Sequence, residues 1–159
     1  LLDGDVAGTV RRSNRLLYET TSPEKFVTLV YGALDPKKHT FRFTNAGHDH
    51  PCLFRKKGKL LHLETGGIVL GILPDYDYTE DTVEFHPGDV LVIYSDGICE
   101  SMNEDREQFG MDRLIKVIGD RLTEPAGEIL AAVVEAAKKY AGAAPQYDDM
   151  TVVVVKRVR

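Results

Sequence analysis

Between Phe26 and Tyr94 the chain reads as short strand-like segments joined by turns, several only a few residues long. This spacing is the tightest constraint on the fold. Parallel strands need a crossover of a dozen or more residues, so turns this short force neighbouring segments to pair back antiparallel. Phe26–Leu34 is rich in β-branched and aromatic residues and reads as a buried strand. Asp35-Pro36-Lys37-Lys38 then turns the chain into the alternating Thr40–Thr44, a hairpin. Cys52–Arg55 and Leu60–Leu63 flank Lys56-Lys57-Gly58-Lys59 as a second hairpin, and Tyr78–Phe85 alternates again. His86-Pro87-Gly88-Asp89 leads into Val90–Tyr94, a nearly continuous apolar strand. Between these, the apolar residues Ile68–Leu70, Ile72 and Leu73 predict a long connection that packs down.

Helical periodicity sits at the ends of this series. Val6, Val10 and Leu17 recur at helical spacing, with Arg11, Arg12 and Arg15 turned outward. Met111–Leu122 and Ala126–Tyr140 carry the same period, and Gly142 is a helix stop. The Val-rich Met150–Val158 is a last strand, expected at the centre of a sheet. Helices segregated from hairpin-linked strands indicate an α+β fold with antiparallel sheets, not βαβ winding.

At 159 residues the chain is the size of one domain, residues 1–159. A net charge of −5, with no basic stripe, argues against a nucleic-acid backbone as partner. No apolar run approaches a membrane span. The two cysteines, Cys52 and Cys99, are far apart and suit packed residues in a reducing compartment, with cytoplasm as the default. The absence of an initial Met suggests part of a longer protein.

Two acidic spots lie where apolar strands meet loops: Tyr94-Ser95-Asp96-Gly97 and Tyr147-Asp148-Asp149-Met150-Thr151. If the adjoining strands are neighbours, Asp96 and Asp148 converge at one sheet end. Convergent carboxylates suit hard divalent cations such as Mg²⁺ or Mn²⁺, and two such ions can clamp a phosphate and activate water for in-line attack. A plainer reading stands beside this one: Ser-Asp-Gly is a common turn, and Asp before a strand often caps one. His48 and His50 read as solvated loop residues. No Ser or Cys has a His at a recognisable triad spacing, and the glycines at 66, 67 and 71 do not form a phosphate loop.

Six segments occur here in the order seen in one family. They are Asn14-Arg15-Leu16-Leu17-Tyr18, Phe26–Gly32, Asn45-Ala46-Gly47-His48, Gly71-Ile72-Leu73-Pro74, Pro87–Gly97 and Asp148–Val152. Together they make the chain resemble the SpoIIE family of bacterial PPM-type, metal-dependent serine/threonine phosphatases. The resemblance implies two stacked antiparallel sheets flanked by helices, a PPM-like α-β-β-α sandwich. It implies two Mn²⁺ or Mg²⁺ ions and hydrolysis of phosphoserine or phosphothreonine on a partner protein, an anti-anti-sigma factor. It also implies an upstream sensor or receiver domain in the full-length protein. Asp96 and Asp148 match metal-ligand aspartates. Asp149 and Gly97 occupy the neighbouring positions, and Asn45, Gly47 and His48 match a loop near the site.

One feature departs from the family pattern. Another metal aspartate is expected in a Gly-Asp-Val-Ser/Ala-Gly strand, and Gly4-Asp5-Val6-Ala7-Gly8 has those letters. It lies too close to Asn14 for the helix and loop that should intervene. Asp5 therefore reads as the N-cap of a helix, and the chain as the C-terminal portion of the domain, without its N-terminal strands and first helix. Such a fragment is expected to be inactive by itself. The rival readings are a non-catalytic, phosphatase-like module that binds a partner and a small-molecule phosphohydrolase on the same scaffold.

Overall fold

A computed structural model describes residues 5–158. The chain forms two compact units: one comprises the chain up to His50 with Leu63–Phe85, the other Pro51–His62 with the chain from His86 onward. Each holds one sheet and at least one helix, the mixed α+β arrangement expected from the order of elements.

The first unit begins with helix α1, Val6–Thr20. Asp5 is its N-cap, and its Oδ1 accepts from the Gly8 amide at 2.7 Å, satisfying one of the four amides a helix start leaves open. Glu80 Oε2 takes another, from Ala7, at 2.8 Å. Asp3 and Gly4 lie outside the described residues. The buried stripe runs Val6, Ala7, Val10 and Asn14, so a polar residue occupies a position that helical spacing assigns to the core. Strand β1, Leu29–Asp35, pairs antiparallel with β2, Thr40–Ala46, from Leu29↔Ala46 to Asp35↔Thr40. The turn between them is held by Asp35 Oδ1, which accepts from the amides of Lys37 and Lys38.

Several sequence expectations need correcting here. The first strand starts at Leu29, not Phe26, and is half-buried along most of its length. Val27 makes only an isolated bridge to Leu70. The 66–74 connection packs down only in part: Leu70 is buried, while Ile72 and Leu73 stay about half exposed. β2 pairs with β6, Asp81–Glu84, antiparallel and with β5, the two residues Gly66–Gly67, parallel. Residues 47–65, which join β2 to β5, are long enough for the crossover that a parallel pair requires. Ala7, Val10, Ala46, Leu70 and Tyr78 form this unit's core.

In the second unit β3, Cys52–Phe54, makes a hairpin with β4, Leu60–His62. β7, Val90–Tyr94, pairs antiparallel with β3 on one side and with β8, Val152–Lys156, on the other. The sheet order is β4-β3-β7-β8, so β8 lies at an edge among the described residues, not at the centre. A valine run shows β propensity and burial, but it does not show on which side a partner lies. Val152 and Val154 pack towards the core while Val153 is half exposed. Helices α3, Gly110–Gly119, and α4, Ala126–Ala141, place Leu114, Ile118, Ile129 and Val133 in one cluster with Phe54, Val90, Val92 and Tyr94. Lys156 Nζ donates to the carbonyls of Leu122 and Glu124, tying β8 to the link between those helices. Before β7, the buried Asp89 carboxylate accepts from Arg55 Nη1 at 2.6 Å and from the amides of Lys56 and His86. Among the described residues no helix is long and apolar enough to cross a membrane.

Candidate functional site

The β7·β8 ladder ends at Tyr94↔Val152. The next residues out are Ser95 on one strand and Thr151 on the other, so the segments holding Asp96 and Asp148 leave the sheet side by side. The Ser-Asp-Gly segment read above as a turn opens a one-turn helix, α2, Asp96–Cys99. Ile98 N donates to Ser95 O at 3.1 Å and Glu100 N to Asp96 O at 2.7 Å.

This exit from strand into helix depends on Ser95. An antiparallel hydrogen-bonded pair exchanges two bonds between the facing residues. Ser95 N donates to Thr151 O at 2.9 Å, as the ladder requires. The reciprocal bond is altered: Thr151 N donates to Ser95 Oγ at 2.9 Å, because the Ser95 carbonyl has turned into the helix. The same hydroxyl donates to Asp149 O at 3.0 Å. Ser95 is the N-cap of α2 by position but makes no side-chain cap bond. Sequence reading passed over it, although Ser at a strand-to-helix junction is a signal that its hydroxyl has a backbone partner.

Gly97 makes the close approach possible. It is buried, and an added Cβ would lie 2.5 Å from Asp149 O. The two loops therefore touch backbone to backbone. Each aspartate is braced by the amide that follows it: Gly97 N donates to Asp96 Oδ1 at 2.9 Å, and Asp149 N to Asp148 Oδ1 at 2.7 Å. Gln146 Nε2 donates to Asp148 O at 2.7 Å. Asp96, Asp148 and Asp149 are exposed. As a donor set, carboxylates on adjoining loops suit a hard cation that retains waters. Among the described residues no group of three or more His, Cys, Asp or Glu side chains is placed to hold an ion.

The Asn45 loop belongs to the first unit. Asn45 ends β2 with its side chain buried, where it brackets one residue: Nδ2 donates to His48 O and Oδ1 accepts from His48 N, both at 2.8 Å. Gly47 has φ +67°, and an added Cβ would meet Val69 at 2.4 Å. The His48 ring, half-buried, has Nδ1 3.2 Å from Thr28 Oγ1. The Asn-Ala-Gly-His letters are thus explained by loop geometry, with the imidazole as the one group presented. Asp5 and Asp89 are spent as helix cap and ion-pair acceptor.

Comparison with known proteins agrees with this architecture. The sequence model of Stage II sporulation protein E (SpoIIE) matches residues 2–158. Phosphoserine phosphatase RsbU of Bacillus subtilis is 29% identical over 149 residues, covering 93% of this chain and 44% of RsbU. The chain thus spans less than half the length of that relative. The RsbU and RsbW domains of Rv1364c from Mycobacterium tuberculosis superpose with a TM-score of 0.80 at 19% identity, over 98% of this chain and 42% of that one. The catalytic domain of the serine/threonine phosphatase PstP, solved with two manganese ions, gives 0.67 at 16% identity, over 97% and 72%. Those two likenesses concern the fold. With residues 2–158 matched by the family model and the fold shared with PP2C-type phosphatase domains, the chain belongs to the SpoIIE family.

Proposed function

We propose that this chain carries part of the catalytic centre of a metal-dependent protein phosphatase. Its substrate would be phosphoserine or phosphothreonine on a partner protein, an anti-anti-sigma factor in a cytoplasmic partner-switching pathway. The observation that carries the reading is the junction of the Asp96 and Asp148 loops at one end of the β7·β8 ladder. The relative named a phosphoserine phosphatase, and the neighbour that joins RsbU and RsbW domains, support the substrate class.

Asp96 and Asp148 would hold Mn²⁺ or Mg²⁺, with Asp149 beside them to orient ligands or water. Bound there, the ions would make water acidic enough to attack at neutral pH and offset charge on the phosphoryl oxygens. The amides of Gly97 and Asp149 orient both carboxylates in advance. Their exposure lets a phosphorylated segment of a whole protein reach them, as a deep small-molecule cleft would not. Asn45 and Gly47 shape a loop that presents His48. Regulatory segments, such as a sensor or receiver domain, would lie elsewhere in the full-length protein.

The test is phosphate release from a phosphoserine-bearing protein by the full-length enzyme, with and without Mn²⁺. Asp96→Asn or Asp148→Asn is expected to lower turnover at least about a hundredfold, because metal charge stabilises the transition state by several kcal/mol. Unchanged turnover in both variants would sink the reading.

A further inference from the structure

We infer that Ser95 is a positioning residue for the metal ligands, an inference that rests on the phosphatase reading above. Three hydrogen bonds of this one residue, at 2.9, 2.9 and 3.0 Å, reach Thr151 O, Thr151 N and Asp149 O. They hold residues 149–151, the stretch on the β8 side that directly follows Asp148. On its own side Ser95 precedes Asp96, and its carbonyl begins the helical turn that places that aspartate. Ser95, through its hydroxyl and its amide, therefore ties the two aspartate-bearing backbones together beside the Gly97 contact.

The hydroxyl's partners show where it acts. A Ser at a helix N-cap ordinarily accepts from an amide of its own first turn. Here the Gly97 amide is taken by Asp96 Oδ1, and the serine hydroxyl is directed across to the other strand. It accepts one bond and donates one, so both an O–H and a lone pair are needed. Alanine supplies neither, threonine supplies both, and cysteine supplies weak versions at a longer bond length. Without the hydroxyl, the Thr151 amide loses its partner and the Asp149 carbonyl loses a donor. The Asp148–Asp149 segment then keeps its contact with Gly97, the Gln146 bond and the Ser95 N to Thr151 O bond, but loses both side-chain ties to the Asp96 side.

The experiment measures Mn²⁺ affinity directly, by calorimetry on the full-length protein. It is paired with metal-free thermal unfolding and amide exchange at Thr151. Ser95→Ala is expected to weaken Mn²⁺ binding by about tenfold or more, the usual effect of losing a partner that orients a ligand. Thr151 exchange should accelerate while metal-free unfolding changes little. Ser95→Thr should restore both affinity and protection, a rescue that a general packing role would not produce. Ser95→Cys, which keeps the shape, should fall between them and decides the matter if the alanine variant does not fold. Wild-type affinity in Ser95→Ala, or in Ser95→Cys where alanine fails to fold, would overturn the role of Ser95 and leave the metal reading standing. A wild-type protein without Mn²⁺ affinity would overturn that reading, and the role of Ser95 with it.

Discussion

A Cβ added at Gly97 would lie 2.5 Å from the carbonyl oxygen of Asp149, a separation that real contacts do not allow. The obstacle is backbone, so it cannot swing aside as a flexible side chain would. Alanine is the better helix former by about 1 kcal/mol, and Gly97 sits in a helical turn. Overpacking a close contact costs about 1–3 kcal/mol, and the collision should win. Gly97→Ala is therefore expected to lower stability in urea unfolding and to lower phosphatase turnover. A variant more stable than wild type would mean that the two loops do not meet as described.

Asp5 is a cap, and its removal should look like the loss of a cap. Asp5→Ala forfeits the bond from Gly8 and is expected to cost about 1 kcal/mol. Asp5→Ser should recover most of it, since a hydroxyl caps as well as a carboxylate does. Mn²⁺ affinity should not change in either variant. A calorimetric loss of Mn²⁺ binding in Asp5→Ser would instead place this acid beside the proposed ligands Asp96 and Asp148.

Asn14 is fully buried and holds the Gly71–Pro74 loop on helix α1. Its Nδ2 donates to the carbonyls of Leu73 and Pro74, and its Oδ1 accepts from Gly71 N at 2.8 Å. Asn14→Leu fits a similar volume but leaves the Gly71 amide without that acceptor. Each buried polar group left unsatisfied costs about 1–3 kcal/mol, so a loss of at least about 2 kcal/mol is expected in urea unfolding. Proteolysis within residues 71–74 should also become faster.

Burial pushes the Cys52 thiol up from 9.0 to about 11. Below pH 9 the thiol is protonated in folded and unfolded chains alike, and the native state keeps this contribution in full. Between pH 9 and about 11 only the unfolded chain gives up the proton, so stability falls across that window and then levels off. Tyr78, also raised by burial, acts in the same direction. Urea unfolding on either side of the window should show a smaller alkaline loss in Cys52→Ala than in wild type. At neutral pH, alkylation of native protein should reach Cys99, which is partly exposed, before Cys52.

The three long helices and the two hairpins were legible because their signals are local, whereas the single turn of α2 was not. Val6, Val10 and Leu17 repeat at the helical period, and Asp35-Pro36-Lys37-Lys38 closes a hairpin through bonds within four residues. Asp5 could be read as a cap because the SpoIIE resemblance implies more chain between a metal aspartate and Asn14 than this sequence has. Asn14 and Asp89 were less transparent. A buried polar side chain finds its donors and acceptors in distant segments, and spacing along the chain does not name them. The place of β8 was hidden for a similar reason, since four valines report burial without naming a neighbour.

The sequence by itself determined the α+β class, the antiparallel pairing and the two acidic loops at strand ends. These follow from periodicity, turn length and residue chemistry, all short-range along the chain. Only the tertiary structure decided that β7 and β8 are partners, that Gly97 lets Asp149 lie against it, and that Ser95 joins the two loops. Asp96 and Asp148 are 52 residues apart in the chain, with two further helices between them. Their proximity is set by strand register, by the Gly97 contact and by the bonds of Ser95, which no local pattern encodes.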